Sequence, residues 1–504
     1  MAQLKYRGNL SAKVFPFLSS QMGPTVIVGG QDQSNVFQQN AGDSAGGDNN
    51  IPQAYYMHNV VPTAQGYKSV GYSQLLQAAG ILFNRVVPIR DPDMTRGWLG
   101  ATADGHLYIY KAGDSHWWDV TDQAAGWAGG NVTVAYANGT TYICLAGFKV
   151  FKVGVSGRTL TAVTLNGITS SSITAITSSV NYMILTDGVS IYWSSTLTPE
   201  DFVPSTITGA GSGKVTDIEG LIVALVPLNS GFAVYSAANV VIAAYSQNAK
   251  YPWIFRAVDN SKGVTSIDQV TSAADSGSTY AWTAAGLQKI SITGALTLMP
   301  EVTDFLAGQE FEDFDYLANT INAQYLSSPL LVRLAYAGAR YLIISYGISS
   351  YTHALVYDTA LKRWGKLRRN HVLCFEININ ASAKQTIGFA DSSGAVTFCD
   401  FDNAATATDS VLVLGKYQML RSRLCTLQGV SVENVDASSN FEAIAYTALD
   451  GKTISSNLKL TASSIGARIR NYPARVTGTN HSIIFKGRFN MNSFELTLTL
   501  NGRR

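Results

Sequence analysis

One short pattern recurs down the chain and limits what it can fold into. Residues 184–195 read ILTDGVSIYWSS: a hydrophobic run, the pair Asp187-Gly188, then an alternating run. The same order returns in ATADGHLYIY at Asp104-Gly105 and in VAYANGTTYICL at Asn138-Gly139. Four looser copies follow: FAVYSAANVVIAAYS around Asn239, YAWTAAGLQKISI at Gly286, YLIISYGISSYTHALVYD around Ile348 and TIGFADSSGAVTFCDF at Gly394. Asx-Gly between alternating apolar runs is the strongest short-range signal for a β-hairpin, because both central residues of a type I′ turn need a positive φ. Turn-to-turn spacings are 34, 49, 51, 47, 62 and 46 residues. Their centre matches the length of one four-stranded propeller blade.

A blade cannot bury both of its faces alone. Stacking blades in a closed ring buries them and removes long open edges. The expected fold is therefore all-β: a β-propeller of six to seven blades over residues 97–404. A string of β-sandwiches made from the same hairpins is the alternative, and the near-regular period favours the ring. The composition agrees: 45 glycines, 14% charged residues and 46% apolar residues suit a turn-rich β assembly with a large core.

The longest gap holds PEVTDFLAGQEFEDFDYLANTINAQYL, residues 300–326, which loses the period-two pattern and reads as a helix or ordered loop. Glu301, Asp304, Glu310, Glu312, Asp313 and Asp315 make it the most acidic stretch. Two flanks fall outside the repeat. Residues 1–96 form an N-terminal extended region and β platform, with a Gly- and amide-rich arm at 29–50. Residues 405–504 carry long strands such as FELTLTL and read as a C-terminal β-sandwich-like domain.

No catalytic constellation stands out. GxSxG, HExxH and P-loop patterns are missing, and the six histidines are scattered. The segment DSHWWD sets Asp114, His116 and Asp119 beside two tryptophans, but reads better as a solvated strand end. Asp187, Asp358 and Asp400 sit at turns or strand ends, where a carboxylate serves the backbone. Cys144, Cys374, Cys399 and Cys425 form no CxxC pair and lie in apolar strands, as buried thiols do; a Cys374–Cys399 bridge stays open. The expectation is a non-enzyme with no cofactor and no metal.

The formal net charge of +2 gives no global field for DNA or an anionic membrane. The sharpest basic run, YDTALKRWGKLRRN, groups Lys362, Arg363, Lys366, Arg368 and Arg369 around Trp364. It is a candidate contact patch for phosphates, with Trp364 stacking. Read structurally, it is a turn and an outer strand whose tryptophan packs between blades. The longest apolar stretch, LIVALVPL, is far too short to span a bilayer, and the N-terminus lacks a signal-like apolar core, so a chain without an export signal is expected.

Taken in order, several segments look familiar. NNIPQAYYMHNVVPTAQGYKSVGYSQLL is paced by Asn59, Pro62, Gly66 and Gly71; ILTDGVSIYWSSTLTPEDFVPS, GFAVYSAANVVIAAYSQNAKYPWIFRAV and a closing IIFKGRFNMNSFELTLTLNGRR follow. This order resembles the tail nozzle (tail tubular) proteins of short-tailed bacteriophages. The resemblance implies a structural component of the virion tail, assembled in the host cytoplasm as a homo-oligomeric ring, typically a hexamer. It implies portal-adaptor proteins above, tail fibres or spikes alongside, and double-stranded DNA passing through on ejection. A duct must let DNA slide, so a strongly basic lining would hold phosphates; the acidic 300–326 residues are then lumen-facing candidates. The arm at 29–50 would add a strand to a neighbour. The alternative is a receptor- or carbohydrate-binding propeller tail protein.

Overall fold

The structure, a computed structural model, describes residues 3–9, 26–27, 54–248, 250–273, 277–307, 310–315, 320–325, 331–378, 385–401, 410–418, 424–434, 441–448, 454–460, 464–465 and 469–501. The chain is all-β: a seven-bladed propeller joined to a β-sandwich. Each blade is an antiparallel four-stranded meander. Blade 1 runs through Phe83–Arg90, Arg96–Thr102, Leu107–Lys111 and Trp118–Asp119. Blades 2 to 6 begin at Val132–Ala137, Ala175–Ser179, Ile222–Leu228, Val270–Ala273 and Leu331–Ala337. Blade 7 takes three strands, Leu373–Asn378, Gln385–Ala390 and Val396–Asp400, from late in the sequence. Its fourth strand, Gly71–Leu76, comes from ahead of blade 1 and pairs with Val396–Asp400.

The first strands of the seven blades pack in cyclic order, and that of blade 7 returns to that of blade 1. Seven apolar cores fill the seven gaps between blades. Val87, Leu99, Ile143 and Phe151 fill the first. Trp98, Tyr110, Phe375 and Phe398 fill the last, between blades 7 and 1, joined by Leu76 of the closing strand. Burying each such side chain contributes about 1.5–3 kcal/mol, so the closed ring gains a whole core that an open stack would leave wet. The expected boundary at residue 97 falls inside the second strand of blade 1, and the closing strand carries the propeller back to Gly71.

The repeat itself is explained. Six of the seven quoted hairpins join the second and third strands of a blade, while Asn138-Gly139 joins the first and second strands of blade 2. The equivalent turn of blade 2 is at Gly147, which turns the spacings of 34 and 49 into 42 and 41 residues. Asn138 and Gly139 both have positive φ, as a type I′ turn requires. At Asp104-Gly105 and Asp187-Gly188 only the glycine does. There the aspartate works through its carboxylate: Asp187 Oδ1 accepts from the backbone N–H of Val189 (2.9 Å) and Ser190 (2.7 Å).

The 300–326 insertion is a helix, Pro300–Ala307, followed by an antiparallel hairpin, Glu310–Asp315 with Thr320–Tyr325. The helix packs Val302 and Leu306 into the core between blades 5 and 6. No disulfide joins Cys144, Cys374, Cys399 or Cys425; all four are buried thiols, and the open Cys374–Cys399 bridge is not made.

The sandwich packs two sheets over one core that includes Met57, Leu412, Leu427, Phe485 and Leu496. One sheet contains Ala54–His58, Val411–Gln418, Asn480–Gly487, Phe441–Ala448 and Ile454–Leu460. The other contains Asn490–Leu500, Cys425–Asn434 and Ile469–Gly478, with Gln3–Asn9 on Asn490–Leu500. The second sheet continues into the propeller. A short hairpin, Val60–Pro62 with Tyr67–Ser69, hydrogen-bonds to the outer strand of blade 6, Arg363–His371, on one side and to Asn490–Met491 on the other. The result is an unbroken eleven-stranded sheet across both domains.

Gly365 sits at this weld. A Cβ there would lie 2.4 Å from the Val60 carbonyl oxygen, which is backbone and cannot turn aside. Gly365→Ala is therefore expected to destabilise the chain by about 1–3 kcal/mol, read as a lowered urea midpoint. An unchanged midpoint would mean the weld yields freely.

Candidate functional site

The two charged groups expected from the sequence meet different ends. Glu301 and Asp304 lie on the helix, and Glu310, Glu312, Asp313 and Asp315 on the first strand of the inserted hairpin. Their side chains lie outside the described residues. The basic run forms the turn and outer strand of blade 6, and two of its five charges, Arg363 and Lys366, are buried. Arg363 is buried and donates to the carbonyls of Thr63, Ala64 (3.2 Å) and Gly66 (3.5 Å), tying down the turn of the short hairpin. Trp364 is buried against Tyr357, ring centroids 4.6 Å apart, in the core between blades 5 and 6. Lys366 is buried. Lys362 occupies the exposed turn with φ +54°. Arg368 and Arg369 are half-buried at the edge of the weld.

Asn59, one of the pacing residues of the N-terminal segment, organises this seam. It is buried with φ +52°, a conformation that asparagine tolerates better than most residues. Its side-chain Oδ1 accepts from the Arg368 N–H (2.9 Å) and the Tyr72 hydroxyl (2.7 Å). Its carbonyl accepts from Val70 N–H and from Ser410 Oγ, both at 2.8 Å. One residue thus joins blade 6, the closing strand and the sandwich.

Three histidines are buried around it. His371 Nε2 lies 2.8 Å from Ser345 Oγ and Nδ1 2.6 Å from the Arg369 carbonyl. His353 stacks on Tyr346 with centroids 5.4 Å apart, and His58 precedes Asn59. Burial, and then the neighbouring charges of Arg368 and Lys366, lower the pKa of His58 to about 3. Burial lowers His371 to about 4, and His353 falls well below the ordinary value. All three are neutral at pH 7.

A second polar cluster lies on the propeller axis. Asp268, just ahead of blade 5, accepts at Oδ1 from Arg85 of blade 1 (2.6 Å) and from Arg333 of blade 6 (2.7 Å). Blades 1 and 5 are not neighbours, so the Asp268–Arg85 contact reaches past blades 6 and 7 over the central channel. Arg333 also donates to the Asn84 carbonyl at 2.9 Å. Two guanidiniums share one carboxylate oxygen, and burial, opposed by Asp268 and reinforced by Arg333, lowers the Arg85 pKa. Nothing in the sequence marked Arg85, Asp268 or Arg333; they are lone charges more than sixty residues apart.

The DSHWWD segment ends blade 1. Asp114 pairs with Arg158 of blade 2 at 2.6 Å, Arg158 lies over the Trp118 ring at 4.4 Å, and Trp117 is buried in the ring-closing core. Asp358 accepts from Arg340 at 2.6 Å and from the Ala360 and Leu361 N–H groups, capping its own turn. Among the described residues no three His, Cys, Asp or Glu side chains converge as metal ligands, and no helix is long and apolar enough to cross a membrane.

No family model and no curated protein matches the chain. Two solved structures are similar in shape. YCF48 from Cyanidioschyzon merolae aligns over 66% of this chain and 100% of its own, with TM-score 0.42 and 10% identity. YCF48 bound to D1 peptide aligns over 66% and 95%, with TM-score 0.38 and 11% identity. At such scores neither bears on what this chain does, and the propeller is assigned from its own seven sheets.

Two outcomes follow from these geometries. His58, His353, His371 and, in the sandwich, His481 at about 4 all have folded pKa values below the unfolded value of 6.5. Between these limits the unfolded chain binds protons that the folded chain refuses, so stability is complete above pH 6.5 and falls as pH drops toward 4. A melting temperature that stays level over that interval would contradict the burial. Asp268→Asn leaves Arg85 and Arg333 facing each other without their carboxylate; a loss of about 1–3 kcal/mol is expected, measured by urea denaturation.

Proposed function

We propose that this chain is a structural component of a phage tail nozzle, a ring of identical subunits enclosing the path along which DNA leaves the particle. The order of its N-terminal, propeller and C-terminal segments supports this reading. The observation that carries it is the eleven-stranded sheet that makes propeller and sandwich one piece. A subunit in a wall under internal pressure must transmit load without hinging, and backbone hydrogen bonds running unbroken between domains meet that need. A flexible linker, the usual join between domains, would not.

The conduit in this reading lies between subunits. The propeller's own channel is crossed by the Arg85–Asp268–Arg333 contacts. Arg363 and Lys366 of the basic run are buried in the weld, so in this reading only Lys362, Arg368 and Arg369 remain for a passing phosphate backbone. The acidic residues from Glu301 to Asp315 remain the lumen-facing candidates, and portal-adaptor proteins and tail fibres or spikes the neighbours. The arm at 29–50, outside the described residues, is the proposed strand donor to an adjacent subunit.

Electron microscopy of the negatively stained protein, alone and with its adaptor, should reveal closed rings, with six-fold symmetry expected. A chain lacking residues 29–50 should keep its melting temperature and fail to enter rings. Monomers under all conditions, together with binding on a glycan array, would replace this reading with that of a carbohydrate-binding propeller.

A further inference from the structure

Arg85, Asp268 and Arg333 leave a charge unmatched where the innermost strands begin. Asp268 stands two residues ahead of Val270–Ala273, and Arg85 and Arg333 are each the third residue of their strands, Phe83–Arg90 and Leu331–Ala337. The first strands of the blades run in one direction, so all three residues lie at the same end of the central channel. Asp268 is fixed there by its own turn. The Ser266 hydroxyl accepts from the Asp268 N–H at 3.2 Å, and Gln269 Oε1 accepts from the Ser266 N–H at 3.2 Å.

Two guanidiniums here face one carboxylate. Among the described residues no acid other than Asp268 lies within ion-pair distance of either arginine. Tyr351 and Cys374, which lie in the field of Arg333 and could turn negative, are held protonated by burial. Arg85 gives Nη1 to Asp268, while the Nε–H of the same guanidinium is buried and has no acceptor. The Arg85 and Arg333 side chains are only 20% and 13% exposed; that of Asp268, at 34%, marks the opening to solvent. Surplus charge held away from water is costly, and a buried donor without an acceptor adds to the cost. A water molecule would satisfy the Nε–H and leave the charge; an anion answers both.

We propose that this end of the channel is a binding site for one small inorganic oxyanion of the phosphate or sulfate class, received on the Nε edge of Arg85 with Arg333 as the second positive charge. A planar guanidinium fork matches the oxygens of such an ion. The bound ion would draw together residues of blades 1, 5 and 6 across the axis. A DNA duplex is a poor occupant, because it needs a row of neutralised phosphates and this site offers two charges. The site belongs to the single chain and does not depend on ring formation, so either reading can fail without the other.

The test titrates the full chain with inorganic phosphate at constant ionic strength, followed by calorimetry and by melting temperature. High concentrations of phosphate or sulfate stabilise proteins in general, so the site is told by saturation and by its variants. The wild-type chain should show a saturable heat and a saturable rise in melting temperature. Arg85→Gln, which leaves a balanced Arg333–Asp268 pair, should weaken phosphate binding by about tenfold or more. Asp268→Asn lowers the starting stability but removes the competing carboxylate, and should tighten phosphate binding by about tenfold. A purely structural role for Asp268 would not produce that opposite sign. Arg256→Ala, an exposed charge on the outer strand of blade 4, should leave the titration unchanged. No saturable response, a response kept in full by Arg85→Gln, or weaker phosphate binding by Asp268→Asn would each overturn the proposal.

Discussion

Ring closure by Gly71–Leu76 is the constraint from which the other features follow. Seven blades stacked in a row would leave the outward face of blade 1 and that of blade 7 bare. Closing the ring turns both into one more core, filled by Trp98, Tyr110, Trp117, Phe375 and Phe398. Drawing the fourth strand of blade 7 from the N-terminal side of blade 1 ties the last blade to the first through backbone hydrogen bonds. Opening the ring must then break a strand pairing as well as expose apolar surface.

The closing strand also decides where everything before it must lie. Residues 54–69 have to approach along the rim of blades 6 and 7 in order to deliver Gly71 to its place. On that path they extend the sheet of blade 6 and then the sheets of the sandwich. Charges of the basic run that fall on this path become structural. Burying a guanidinium is costly unless its donors are met, and Arg363 meets them with three carbonyls of the short hairpin it holds. Asn59 does the equivalent for the backbone, satisfying three elements at one bend. The same crowding keeps His58, His353 and His371 neutral, first because burial strips the charged imidazolium of water, and then because Lys366 and Arg368 act on His58 and His353, and Arg333 and Arg369 on His371.

The residues read correctly and incorrectly divide along a physical line. Asn138-Gly139 formed the expected turn, since φ > 0 at two consecutive positions is a local demand that sequence states outright. The Asp-Gly pairs made turns by another route, through carboxylate acceptors, and the sequence pattern could not separate the two. The reading of Trp364 as an inter-blade side chain held, because an aromatic at the start of an outer strand has few other places to go. The inserted segment lost its alternation on paper yet contains a hairpin, since Glu310–Asp315 has charge where an apolar run would be expected.

By itself the sequence determined the hairpin as the building unit and the all-β class, because turn chemistry and period-two alternation act between near neighbours; its period favoured a ring of six to seven blades over a string of sandwiches without deciding it. Tertiary structure alone decided which strand closes the ring, that the two domains share a sheet, and that Arg85, Asp268 and Arg333 meet over the axis. Those outcomes depend on which distant edges and charges the closed geometry brings within hydrogen-bonding reach, a quantity that no local pattern encodes.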